Sequence, residues 1–341
     1  MAFPPRQTIR FLTTAALPLV TAVIPAQGLA ATNKSAPDLQ TKLQALAHSA
    51  QPATFGIAVV DLQTGSHWAV NTDRTYPMMS VFKAPVAATI LSRTDSGALS
   101  MDQQVTIRRS QLDSGSAVPS IGDNFIGEQM TFSLRQLLIA AVSQSDNTAV
   151  DALVRLLGGP EPVTQFLRAH GIDKMHVDED EASVSKVFAN LHGAAAPPAT
   201  ETPADKALRL RHGYAAYLAD PRNHTTPDAA ASFLQKLWSN QLLSPTSTKF
   251  LLRLMYDQTT PHRLRDGLPP QVLLADKCGT SNTVEGHTAA YNDIGLLTWP
   301  DGHTVIIAAF LTDSTASKSD RDALFVDLAR ETAAALHPVA Q

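Results

Sequence analysis

One cysteine, Cys278, serves the whole 341-residue chain. No intramolecular disulfide can form, so stability has to come from packing. Aromatic residues make up only 6% and charged residues 17%, against 44% hydrophobic, the balance of a globular chain with a sizeable core. Neither sign of charge dominates. The formal net charge is −4 and Lys and Arg form no clustered stripe, which argues against a nucleic-acid partner. The 11 histidines show neither His-x-His nor His-Glu-x-x-His spacing, and Cys278 has no second cysteine beside it. Zinc-hydrolase ligand sets are therefore excluded, and no metal or cofactor is expected. Gly-x-Ser-x-Gly is missing too, which removes the nucleophile elbow of α/β-hydrolases.

Long apolar runs are confined to the N-terminus. Arg6 and Arg10 precede "FLTTAALPLVTAVIP", and "AQGLAA" then offers small residues for cleavage near Ala30 or Ala31. Residues 1–30 read as a secretory signal peptide. Nothing later approaches 18 uninterrupted apolar residues, so the mature chain, 31–341, is expected to be periplasmic with no stable membrane association.

Periodicity gives a coarse plan. "DLQTKLQALAHSA" has helical spacing, and "TFGIAVVDLQTGSHWAVN" reads as a hairpin around Thr64-Gly65. A helix from Phe82 to about Arg93 must begin close to Ser80, because Pro85 is tolerated only in a first turn. The middle is helical, and "SLRQLLIAAVSQSDNTAVDALVRLLGG" breaks at Ser145–Asn147. "ANLHGAAAPPATETPAD" looks like a flexible insertion, spanning about 186–220 and carrying one short helix. "QVLLADKCG", "TAAYNDIGLLTWP" and "HTVIIAAFLTD" read as strands, followed by a helix from about Ser319 to Leu336. The expected fold class is α+β, an α/β sandwich. An antiparallel sheet comes from both chain ends (about 38–80 and 229–341) and is flanked by helices, with an all-helical subdomain (about 81–228) inserted.

Three short motifs carry chemistry. Ser80-x-x-Lys83 puts a hydroxyl and an amine on one helix face at a helix start. Alone it is weak, since Ser183-x-x-Lys186 repeats it. Ser145-Asp146-Asn147 could be an ordinary N-cap, and Lys277-Cys278-Gly279-Thr280 an ordinary turn with an exposed lysine.

Together the three resemble the set that marks class A β-lactamases and penicillin-binding proteins. The resemblance runs from about Asp38 to the C-terminus and includes "SVFK", "VSQSDNTAVD", "LLGG" and "TAAYNDIG". It implies an exported, monomeric serine hydrolase that opens a small-molecule β-lactam through an acyl-enzyme. Ser80 would be the nucleophile, with Lys83 or Glu181 as its base. Ser145 would protonate the leaving nitrogen, and Asn147, Lys277, Thr280 and Arg263 would bind substrate. The backbone N–H groups of Ser80 and Thr280 would form the oxyanion hole. Arg265 would support the fold. Glu181, in "HVDEDEASVS", would activate the deacylating water, with Glu179 the fallback in that register. Ser185 falls where relatives often carry an asparagine that holds the water. Cys278 departs from the usual Thr or Ser. A penicillin-binding or D,D-carboxypeptidase-like protein, which acylates and deacylates slowly, is the alternative. "TAAYND" resembles the branch that includes cephalosporinases and extended-spectrum enzymes.

Overall fold

The computed structural model describes residues 36–338 except 114, 192–195 and 262; the signal-peptide reading lies outside the described residues. The main sheet is antiparallel, in the order His67–Val70, Thr54–Asp61, Thr304–Ser314, His287–Thr298, Leu273–Thr280, with the short strand Thr283–Val284 on the His287–Thr298 edge. Strands from the two chain ends meet at its centre, where Ala58 faces Ala308.

Strand alternation sorts the side chains into two cores. Phe55, Ile57 and Val59 join Ile307, Phe325 and Leu328 on the face covered by helices Ala36–Ser49 and Lys318–Leu336. Ala58, Ile306, Ala308 and Phe310 point the other way, into the larger core of the helical half. Because both faces are covered, "TVIIAAFLTDS" is a continuous apolar run rather than an alternating one.

The helical half is not purely helical. Its "QVTIR" and "QMTFS" segments pair as Gln104–Arg108 with Gln129–Ser133, and Tyr76–Pro77 pairs with His224–Thr225. The first pair is short and mostly exposed and the second, though buried, has only two residues a strand, so neither registers as strands beside the long helices. Helix starts follow the polar signals: Asp146, Asp180, Thr226 and Ser244 each accept a backbone N–H from their first turn.

The largest departure from expectation is the insertion. Its helix is Pro203–Ala219, 17 residues long and opened by a Thr202–Asp205 capping box. It packs on helix Glu181–Phe188 rather than reaching into solvent. Phe188 meets Tyr214 edge-on and Tyr217 at a tilt. Arg211 forms a bidentate pair with Glu285, and the Tyr214 hydroxyl donates to Asp313. The helices touch at Gly213, where an added Cβ would lie 2.0 Å from the Phe188 carbonyl oxygen.

Gly213→Ala therefore has to push the insertion helix off its neighbour. The expected loss is about 1–3 kcal/mol, read as a lower urea midpoint. An unchanged midpoint would mean that the helix is not docked there.

Candidate active site

Ser80 lies in the 3₁₀ turn Met79–Phe82, which runs directly into helix Lys83–Asp95. Met79, just before it, has φ +46°, in the left-handed region that side chains rarely adopt. Ser145, in the break before helix Asn147–Leu156, has φ +56°. Non-glycine residues held this way store about 1–3 kcal/mol each and persist only where their surroundings fix them.

The Ser-Asp-Asn triplet is both a cap and part of the cleft. The Asp146 carboxylate turns away, accepting from Ala149 N at 2.8 Å and Ile121 N at 2.9 Å. Ser145 and Asn147 face the lysines. Fully buried Lys83 donates to the Ser145 carbonyl at 2.7 Å, the Ser145 hydroxyl at 3.3 Å and Asn147 Oδ1 at 2.5 Å. It also stands 3.3 Å from Glu181 Oε1.

The spacing of Ser80 and Lys83 predicts a direct contact between them. The geometry differs: the Ser80 hydroxyl is directed at Glu181 Oε1, at 3.5 Å, the same oxygen that meets Lys83. The cause is the second lysine contact set. Ser145 and Asn147 draw the ammonium inward, and Glu181 bridges the two groups.

Glu181 opens helix Glu181–Phe188, and its position is fixed by a residue to which the sequence reading gave no role. Asp151 lies one helical turn beyond Asn147, on the same face. Its carboxylate accepts from Glu181 N at 2.8 Å and Ala182 N at 3.0 Å. Burial first, then the Asp180 carboxylate, pushes Asp151 up to about 7, against those two hydrogen bonds. Glu179, by contrast, pairs with Arg222.

Strand Leu273–Thr280 closes the opposite side. Fully buried Lys277 donates to Ser145 Oγ at 3.1 Å and Gln258 Oε1 at 3.0 Å. Burial, helped by the neighbouring charge of Lys83, pushes its pKa down to about 8. Gly279 is required where it stands. A Cβ there would lie 2.5 Å from the Met78 carbonyl and 3.2 Å from Ser80 N, so only glycine lets the strand press against the serine turn.

Cys278 is buried with its sulfur 3.2 Å from the Thr260 hydroxyl. Burial would raise the thiol, but Lys277, Arg263 and the Thr260 contact outweigh it and hold it below the ordinary range. Gln258 and Thr260 carry no motif signal of their own, and only the fold brings them to this strand. Buried Arg263 donates to the Asn292 carbonyl and to the Thr280 hydroxyl, with its guanidinium 3.7 Å from the Tyr291 ring centroid. Arg265 instead donates to the carbonyls of Val272, Leu268 and Pro269, as a fold-supporting residue would.

These groups enclose a cavity of about 90 Å³ lined by Ser80, Ser145, Asn147, Glu181, Cys278 and Thr280. Ser185 lies outside it, exposed, lining a neighbouring cavity. Among the described residues no His/Cys/Asp/Glu group has the arrangement of a metal site.

Comparison with known proteins agrees with this geometry. A model of the β-lactamase enzyme family matches residues 38–336. The extended-spectrum β-lactamase PER-1 of Pseudomonas aeruginosa is 30% identical over 300 residues, covering 88% of this chain and 87% of PER-1. The crystal structure of a β-lactamase from Chitinophaga pinensis superposes with a TM-score of 0.74 at 29% identity, over 86% of this chain and 98% of that one. A mutant of the reconstructed last common ancestor of Gram-negative class A β-lactamases gives 0.70 at 31% identity, over 88% and 99%. The chain belongs to the β-lactamase enzyme family, in its class A branch.

Proposed function

We propose that this β-lactam-hydrolysing enzyme acts through Ser80, with Glu181 serving both half-reactions. One observation carries the reading. The Ser80 hydroxyl and the Lys83 ammonium converge on a single buried oxygen of Glu181. A protein that only acylates has no need of that carboxylate.

In acylation, Ser80 Oγ bonds to the β-lactam carbonyl carbon as its proton passes to Glu181. The C–N bond of the ring then breaks, and the nitrogen takes a proton from the Ser145 hydroxyl. Lys83 and Lys277, both donating to that oxygen, favour its loss of a proton. The oxyanion rests against the backbone N–H groups of Ser80 and Thr280, an interaction typically worth about 3–4 kcal/mol. The close approach at Gly279 supports that pairing. Before deacylation Lys83, in contact with both groups, passes a proton to Ser145 and recovers one from Glu181, which is again a carboxylate. Glu181 then takes a proton from water, the hydroxide attacks the ester carbon, and Ser80 leaves with its proton restored.

Lys277, Thr280 and Arg263 supply the positive potential and hydroxyl for the substrate carboxylate, and Asn147 takes the amide of its side arm. Extended-spectrum relatives such as PER-1 and the structurally similar TLA-1 support cephalosporins as substrates. The leader read in residues 1–30 supports export to the periplasm. All the groups invoked come from one chain, which supports action as a monomer.

Glu181→Ala is expected to stall deacylation by about 10²–10⁴-fold, while Lys83, freed of its contact with that carboxylate, still takes the Ser80 proton at a reduced rate, so that intact-protein mass spectrometry detects a stable adduct on Ser80. Glu179→Ala should keep turning over. Ser80→Ala should give no adduct at all, and an adduct in that variant would rule out the proposed nucleophile. A pH dependence follows from Lys277. Cationic below about 8 and neutral above it, it attracts the substrate carboxylate only on the acid side. Thus kcat/KM for an anionic β-lactam should fall as pH rises through 8 to 9; a flat profile there would remove Lys277 from carboxylate binding.

A further inference from the structure

Tyr217 lies on the insertion helix, outside the three motifs, with its phenol buried. Its ring packs 5.4 Å from that of Phe188, the last residue of the Glu181 helix. Its hydroxyl donates to the Met79 sulfur at 2.7 Å. Burial, then the charges of Glu181 and Asp220, push that phenol far above the ordinary tyrosine range. It therefore stays a donor at any working pH, and a buried hydroxyl needs the acceptor that Met79 provides.

Met79 precedes Ser80 and holds its left-handed φ of +46°. The peptide plane between the two carries the Ser80 N–H, so the dihedrals of Met79 aim that donor. The neighbouring backbone is already tied down. Met78 N donates to the Asn223 carbonyl at 3.0 Å, and Asn292 Nδ2 donates to the Pro77 and Met78 carbonyls at 2.8 and 3.1 Å. On the strand side, a Cβ at Gly279 would come within 3.1 Å of Met79 Cβ. Tyr217 adds a grip on the Met79 side chain itself, from the insertion.

We propose that Tyr217 is a positioning residue: acting through the Met79 sulfur, its hydroxyl fixes the turn that aims the Ser80 N–H at the oxyanion. This rests on Ser80 being the nucleophile of β-lactam hydrolysis. A left-handed residue persists only where its surroundings fix it, so losing one grip lets Met79 relax and turns the N–H away. The cost falls on the transition state, where the oxygen carries its charge. The ring contact with Phe188, which helps to hold the helix, does not need the hydroxyl.

Tyr217→Phe keeps the ring and removes only the donor. Its kcat/KM for a penicillin should fall about 3- to 10-fold, the worth of one hydrogen bond, while the urea midpoint reports an intact fold. Phenylboronic acid takes the Ser80 oxygen onto boron and sets a boron-bound oxygen against the same N–H groups, so its affinity should fall by a similar factor. Met79→Leu removes the sulfur and nearly keeps the volume. In that background Tyr217→Phe should cost less than about twofold. A Tyr217→Phe rate equal to wild type overturns the assignment, as does a loss undiminished in the Met79→Leu background or one that spares boronate binding. A wild type that neither hydrolyses the penicillin nor forms an adduct on Ser80 would instead defeat the hydrolase reading, whatever the variants do.

Discussion

Two fully buried ammonium groups, Lys83 and Lys277, meet at one hydroxyl, that of Ser145. Such a meeting is costly in isolation, since an uncompensated buried charge is penalised by several kcal/mol. The surroundings read as the compensation. Lys83 has two carbonyl-type oxygens and the Glu181 carboxylate. Lys277 has Gln258 and the Cys278 carbonyl, with Asp276, Asp293 and the Cys278 thiol supplying negative potential. Asp293 is itself held well above the carboxylate range, by burial and by Asp276, so that pair contributes less than two full charges. The deficit appears in Lys277, whose depressed pKa reflects a cation that its neighbours only partly support.

The same crowding explains the backbone. For two lysines and a serine to share so small a space, Met79 and Ser145 adopt left-handed conformations, and the strand carrying Lys277 presses against the serine turn through Gly279. Such strain needs support from behind. Some of it comes from the insertion: the Tyr217 hydroxyl donates to the Met79 sulfur, and Met79 packs with Phe188, Tyr217 and Ala289. An element absent from the motif description thus braces the residue next to Ser80.

What was legible in the sequence follows from what is local. Helices with polar caps and a long apolar run such as "TVIIAAFLTDS" announce themselves, because their periodicity is encoded within one segment. Ser80, Lys83, Ser145, Asn147 and Lys277 were legible in short motifs and Glu181 only in the register that the family resemblance implies, and their side chains converge on one cleft. Asp151, Gln258 and Thr260 were not. Each acts on a partner far along the chain, 30 residues for Asp151 and Glu181, and only tertiary packing makes the pairing. The insertion helix was underestimated for a similar reason. An Ala-Pro-Thr-rich approach suggests disorder, while the residues that dock the helix, Gly213, Tyr214 and Tyr217, bind to surfaces distant in sequence.

An insertion of this length inside the loop that carries Glu181, the proposed deacylation base, would ordinarily disturb the pose of that carboxylate. Here the loop is closed before the insertion can act on it. Asn223, itself left-handed at φ +52°, accepts from Asp178 N at 2.7 Å and Glu179 N at 3.0 Å and donates to the Glu179 carbonyl at 3.0 Å. Glu181 is then fixed by Asp151 through two backbone hydrogen bonds. Between these clamps, added chain changes only the loop that leaves and returns. Doubling a loop costs only about 0.6 kcal/mol in closure entropy, less than one buried hydrogen bond can contribute. The segment beyond Glu181 could therefore lengthen with little effect on the carboxylate. Once its helix docked on Phe188, it was in place to brace Met79.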